Sequence, residues 1–255
     1  MKTPRSNEMK GERIAKVLAR AGLCSRRQAE KWIEAGRVKV EGRTLTSAAV
    51  TVTPASRVEV DGKALSAAAE TRLWRYHKPA GLITSHRDPK GRPTVFERLP
   101  KSLGRVISVG RLDLSSEGLL LLTNDGELAR ALELPKTGWT RRYRVRVFGG
   151  VEEARLAALK DGVTTGGGDY GRIDAKLDRV QGSNAWLTVS LKEGRNREVR
   201  KVMEYLGLQV NRLIRIAYGP FQLGRLGRGQ LARVPAKVLR EQLGLEAIKP
   251  SDECG

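Results

Sequence analysis

Apolar residues recur at helical spacing near the start of the chain. Ile14, Val17, Leu18 and Ala21 share one face of residues 12–22, and Gly22 supplies a stop. Ser25 is placed to cap a second helix, RRQAEKWIEAG, which ends at Gly36. The period then changes to two. Val38 and Val40 alternate with Arg37 and Lys39, a Glu41-Gly42 turn follows, and short strands through Val50, Val52, Val58 and Val60 lead to an Asp61-Gly62 turn. Two helices and a small sheet over residues 12–66 make one module. Residues 67–72 read as a linker, residues 1–11 as a disordered lead and residues 246–255 as a tail.

Residues 73–245 mix the two periods. Leu73–His77 reads as a strand that stops at Lys78-Pro79. Residues 118–123 hold four consecutive leucines, the signature of a strand buried on both faces, before an Asn124-Asp125-Gly126 turn. Glu127–Leu134 reads as a helix ended by Pro135. In 142–148, Tyr143, Val145 and Val147 alternate with Arg142, Arg144 and Arg146, so one face is apolar and the other basic. A helix over 151–160, a strand over 185–191, a helix capped by Asn196 and running to about Leu206, a strand over 210–216 and a closing helix over 236–243 complete the pattern. Gly166–Gly168 reads as a flexible loop tip rather than a phosphate loop, since no Lys-Ser/Thr follows it. The predicted class is α+β: a small helix-helix-sheet module, then a domain with a mostly antiparallel mixed sheet flanked by helices.

Charge narrows the partner. The 255 residues carry 48 Lys and Arg against 28 Asp and Glu, a formal net charge of +20. Self-repulsion of that size is accounted for by an anionic partner, and nucleic acid fits better than a membrane surface because the cations are spread along the chain. No run approaches the about 18 apolar residues of a membrane-spanning helix, and MKTPRSNEMK has no secretory core. Cys24 and Cys254 lack disulfide or metal spacing, which points to a reducing compartment. A cytoplasmic monomer is expected.

His77 and His86 are the only histidines and neither stands near a cysteine or a carboxylate pair, so no metal site is expected. There is no dinucleotide fingerprint. The remaining candidate is Gly110-Arg111-Leu112-Asp113, a carboxylate in a loop between two apolar strands. On spacing alone such an aspartate is more often a turn former than a catalyst. Its possible cationic partners include Arg195, Arg197 and Arg200 of GRNREVRK, a run equally suited to a solvated basic helix face touching phosphates. In the first module, Arg26, Arg27 and Lys31 on the second helix and Arg37 and Lys39 just after it form a basic surface suited to RNA phosphates. A helix-turn-helix DNA reader would use two such helices, but the exposed residues are mostly cations with few base-reading side chains.

With those residues in view, KVLARAGLCSRRQAEKWIEAGRVKVEG resembles an S4-like RNA-binding domain. YHKPAGLITSHRDPKGRPTVFERLP, VGRLDLSSEGLLLLTNDGELA, RRYRVRV, LKEGRNREVRKVMEYLG and RLIRIAYGPFQLGRL resemble, in order, the ribosomal RNA pseudouridine synthases that carry this domain, most closely the large-subunit type B. The resemblance implies that Asp113 is the essential aspartate, Tyr143 the tyrosine that stacks on the target base and Arg200 the basic residue that pairs with the aspartate. It places Lys78-Pro79 and Leu213 in structural motifs of the cleft. Lys78, Arg111, Arg195 and Arg197 are also expected to contact RNA. The implied partner is ribosomal RNA or a ribosome assembly intermediate. The implied reaction breaks the N1–C1′ bond of uridine, turns the base and rejoins it through C5, which is redox-neutral and needs no cofactor. A carboxylate in a dry pocket needs a cation to stay charged, and Arg200 is the expected one. A non-catalytic assembly factor would explain the charge and the first module, but would have no need of GRLD and GRNREVR together.

Overall fold

The computed structural model describes residues 11–66, 69–134 and 138–243. Residues 1–10 of the expected lead, Pro135, Cys254 and the expected tail lie outside the described residues, as does part of the expected linker. The described residues fall into two compact units: one lies within residues 11–71 and includes Gly104–Val106, the other comprises Arg72–Leu103 and the described residues from Ile107 to Leu243.

The first unit contains β1 (Glu12–Arg13), α1 (Ile14–Arg20), α2 (Arg26–Glu34), β2 (Val38–Val40), β3 (Arg43–Thr44), β4 (Thr51–Val52), β5 (Val58–Val60) and β6 (Lys63–Ala64). The first helix starts two residues later than the apolar spacing suggests, because Glu12 and Arg13 pair with β4. Ser25 caps α2 as expected, its hydroxyl accepting from the Gln28 N–H at 3.1 Å. Ile14, Leu18, Ala29, Ile33 and Val38 are completely buried and form the core of this unit. Cys24 joins them as a free thiol, its pKa pushed up by burial.

In the second unit the elements are β7 (Leu73–Lys78), β8 (Ile107–Val109), β9 (Ser116–Thr123), α3 (Gly126–Glu133), β10 (Arg141–Phe148), α4 (Glu153–Ala158), β11 (Val163–Thr165), β12 (Gly168–Tyr170), β13 (Ile173–Gln181), β14 (Asn184–Leu191), α5 (Glu198–Tyr205), β15 (Gln209–Tyr218), β16 (Phe221–Gln222), β17 (Leu231–Arg233) and α6 (Ala236–Leu243). One sheet follows the order β13-β14-β10-β15-β9-β7-β17, with β16 beside β15 and β8 beside β9. Every pairing in it is antiparallel except β15 with β9, which matches the expected mixed sheet.

Two apolar clusters lie on opposite faces of that sheet. Tyr143, Val145, Val147 and Leu213 pack with Leu156 of α4 and Val199, Val202 and Met203 of α5. Ile214, next to Leu213 and therefore on the other face, packs with Leu119, Leu121 and the α3 residues Leu128 and Leu132. The leucine run is unbroken because both of its faces are covered: Leu119 to Leu122 are all completely buried.

One reading of the sequence is corrected, one is made more specific and one element is added. Asn196 does not cap α5. Arg197 occupies that position in a left-handed conformation (φ 54°), and the Glu198 carboxylate reaches back to the N–H groups of Gly194 (2.8 Å) and Arg195 (2.7 Å). Gly166–Gly167 is the turn of a small hairpin, β11 with β12, and Gly168 is already paired with Thr165 in β12. Ile173–Gln181 is a strand at the sheet edge that the sequence reading passed over.

Candidate active site

The Gly110–Ser116 loop runs from β8 into β9 and is held at nearly every residue. The Gly110 N–H donates to Glu133 Oε1 (2.6 Å), at the end of α3. The Thr84 hydroxyl donates to the Leu112 carbonyl (2.9 Å) and accepts from the Leu112 N–H (3.3 Å). Gly81 donates its N–H to the Leu114 carbonyl (2.8 Å), and Ser116 donates its own to the Asp113 carbonyl (3.0 Å). The Lys78 ammonium completes the frame by donating to the carbonyls of Pro79 (3.0 Å), Asp113 (3.1 Å) and Ser116 (2.8 Å).

Lys78 is 0 % exposed. The expectation that it touches RNA is therefore corrected: its cation is enclosed, and its work is to fix the backbone around Asp113. Burial brings its pKa down to about 8, an effect partly offset by the charges of Asp113 and Glu117.

Asp113 itself is half-buried. Its backbone is bonded, while its carboxylate has neither hydrogen bond nor ion pair among the described residues. Arg200, on α5, is near enough for Asp113 to favour its charge, against the opposing effects of burial and of Arg197. It forms no direct ion pair with Asp113. Its guanidinium instead donates to the Val210 carbonyl (3.2 Å) and the Ser115 carbonyl (3.3 Å), and its Nε is buried without a partner among the described residues.

Tyr143 lies on the α5 side of the sheet and is 8 % exposed. Its hydroxyl has no protein partner among the described residues. On the neighbouring strand, Leu213 is buried in the same cluster. The β8–β9 loop and α5 bring Asp113 and Arg200 near each other, and Tyr143 of β10 lies in the apolar cluster that α5 covers.

Gly118 shows why this geometry needs its own residue type. It sits at φ 104° where β9 meets β15 in parallel, and a Cβ there would stand 2.3 Å from the Arg215 carbonyl oxygen. A glycine within an otherwise apolar strand is the signal that could have flagged it. Glu117 was also missed. It is buried and accepts from Arg212 (2.7 and 3.1 Å), with Arg228 3.0 Å away. Burial would raise its pKa, but Arg212 and then Arg228 bring it below the usual carboxylate value.

The remaining candidate RNA contacts are all exposed: Arg26, Arg27, Lys31, Arg37, Lys39, Arg111, Arg195 and Arg197. Two are already engaged. Arg37 pairs with Asp61 and lies over Trp32, and Arg195 pairs with Glu193 at 2.7 Å. No helix among the described residues is long and apolar enough to cross a membrane.

The family described as RNA pseudouridylate synthase matches residues 72–205, more than half of the chain, and so spans Asp113, Tyr143 and Arg200. The chain belongs to that family. It is a pseudouridine synthase, and the S4 domain matches residues 12–58, ahead of the synthase region. An RNA pseudouridine synthase of Rickettsia prowazekii is 47% identical over 231 residues, 91% of this chain and 97% of the relative. The ribosomal large subunit pseudouridine synthase B of Salmonella typhimurium is 48% identical over 246 residues, 94% of this chain and 84% of that one. A crystal structure of a pseudouridylate synthase superposes with a TM-score of 0.63 at 28% identity, covering 91% of this synthase and 99% of the other chain.

Proposed function

We propose that this synthase converts a uridine of ribosomal RNA, in the large subunit, to pseudouridine, with Asp113 as the catalytic carboxylate and no cofactor. One observation carries the assignment: a loop pinned through its backbone on both sides leaves a single carboxylate unbonded, beside Arg200 and the enclosed Lys78 cation. Fixing the backbone while leaving the reactive oxygens free is what a positioned catalytic group requires.

The target uridine leaves its stack and enters the cleft, with its ring against Tyr143 and Leu213. The N1–C1′ bond breaks, C1′ rejoins at C5, the C5 hydrogen leaves as a proton and N1 gains one. Asp113 acts at the ribose or the base during this exchange. Arg200, whose Nε has no acceptor and whose contact to Ser115 is long, turns toward Asp113 when the nucleotide displaces water. Tyr143 offers an unengaged hydroxyl and a stacking face. The basic surface of the first unit holds the surrounding RNA as a monomer. Support for the substrate comes from the relatives named for ribosomal large-subunit RNA.

Pseudouridines mapped in ribosomal RNA from cells lacking the gene, and from the same cells carrying wild type or Asp113→Asn, test this reading. The expected result is one position lost without the gene, restored by wild type and not by Asp113→Asn. Retention of every pseudouridine in the deleted strain would overturn it.

A further inference from the structure

Opposite the Tyr143 face, the sheet carries a surface that the proposed site does not use. β10 alternates, so Arg142, Arg144 and Arg146 all point away from the core that holds Tyr143, Val145 and Val147. The registers extend this row across the neighbouring strands: Arg144 stands beside Thr188, which stands beside Lys176, and Arg146 stands beside Trp186 on one side and Arg212 on the other. Arg142, Arg144, Lys176 and Arg179 are exposed. Arg144 lies over the Trp186 ring, 4.9 Å from its centre.

Of the negative charges nearby, Asp174 and Glu117 are ion-paired, while Asp178 is bonded to a neutral hydroxyl and keeps its charge among the surrounding cations. Asp174 pairs with Arg172 at 3.0 Å, Asp178 accepts from the Thr188 hydroxyl at 2.9 Å, and Glu117 is held by Arg212 and Arg228. Arg142, Arg144 and Arg146 have no carboxylate partner among the described residues, and Arg146 Nε is buried without any acceptor. The three arginines repeat every about 7 Å along the strand, a spacing of the order of that between successive phosphates of one nucleic-acid strand. Unpaired guanidinium groups around a half-buried tryptophan suit a phosphate backbone with a sugar or base resting on the ring.

We propose that this outer face of β13, β14, β10 and β15 is a second RNA-contact surface, which grips the backbone of a structured RNA on the side of the sheet away from Tyr143. It rests on the chain's acting on RNA and is independent of which carboxylate does the chemistry, so it is tested by binding alone. The probe is an RNA hairpin of roughly 16 base pairs, titrated by fluorescence anisotropy over a salt series against wild type, Arg142→Gln/Arg144→Gln and Arg142→Lys/Arg144→Lys. Loss of two phosphate contacts makes the slope of log affinity against log salt shallower by about 1.5 and weakens binding about tenfold or more at about 0.1 M salt. The glutamine pair is expected to show both changes and the lysine pair to keep the wild-type slope. Unchanged affinity and slope in the glutamine pair would overturn the proposal, as would equal weakening in both pairs with no change of slope. Wild-type RNA affinity in the glutamine pair, with an acidic protein no longer bound, would make this a protein site and overturn it too.

Discussion

Replacing Lys78 with methionine keeps the length of the side chain and removes its charge and its donors. Two opposing terms set the outcome. The ammonium is costly where it sits: its pKa falls from the ordinary 10.5 to about 8, which at 1.36 kcal/mol per pH unit is about 3 kcal/mol. Its removal also leaves the carbonyls of Pro79, Asp113 and Ser116 without a donor, at about 1–3 kcal/mol each. The second term is larger, so Lys78→Met is expected to destabilise by about 3 kcal/mol at pH 7 and to lower the Tm by about 6–12 °C for a unit of this size. The pH dependence isolates the lysine. A depressed lysine pKa means that the unfolded chain holds a proton the folded one has released between pH 8 and 10.5, so wild-type stability gains with rising pH in that window. Denaturant unfolding of both proteins at pH 7 and pH 10 removes every other titrating group by difference. Wild type should gain about 2.5 kcal/mol over Lys78→Met across the interval. Parallel stability curves for the two proteins would refute an enclosed, charged Lys78.

Gly118→Ala places a Cβ 2.3 Å from the Arg215 carbonyl oxygen, so β9 and β15 must separate; a loss above about 4 kcal/mol is expected in denaturant unfolding, as for other severe core changes. Tyr143→Phe should keep the stacking ring and most RNA affinity, whereas Tyr143→Leu should weaken binding of a uridine-bearing RNA by about 1–3 kcal/mol in titration; equal affinities would remove Tyr143 from the base-contacting role. Arg26→Ala with Arg27→Ala should weaken RNA binding and make its salt dependence shallower by about 1.5; an unchanged slope would remove these residues from the surface.

Much of the architecture could be read from local chemistry. Ser25 and Gly36 delimit α2 because capping and left-handed backbone are properties of single residues. The alternation of β10 and the leucine run of β9 report burial on one face and on two. β13 was readable in principle: Ile173, Ala175 and Leu177 face the core between Asp174, Lys176 and Asp178. Its polar half reflects an edge position with one face open to water. What sequence could not supply was long-range. That Lys78 is enclosed follows from carbonyls 35 and 38 residues away. The left-handed Arg197 follows from Glu198 reaching back for two N–H groups, a contact that displaces the cap expected from Asn196. Asp113, Tyr143 and Arg200 were singled out in the sequence by resemblance. Spacing alone favoured a turn former and a core tyrosine, because the exposure of a carboxylate or a hydroxyl depends on what the fold leaves unbonded beside it.

The isomerisation offers a direct readout of what Asp113 does, because joining C1′ to C5 expels the hydrogen that C5 carried. Purified wild type and Asp113→Asn would be given large-subunit ribosomal RNA tritiated at C5 of uridine, in single-turnover excess of enzyme, with RNA affinity measured alongside. Wild type should release tritium to solvent in step with pseudouridine formed, while Asp113→Asn binds the RNA as wild type does and releases none. Tritium release by Asp113→Asn at the wild-type rate would contradict the account.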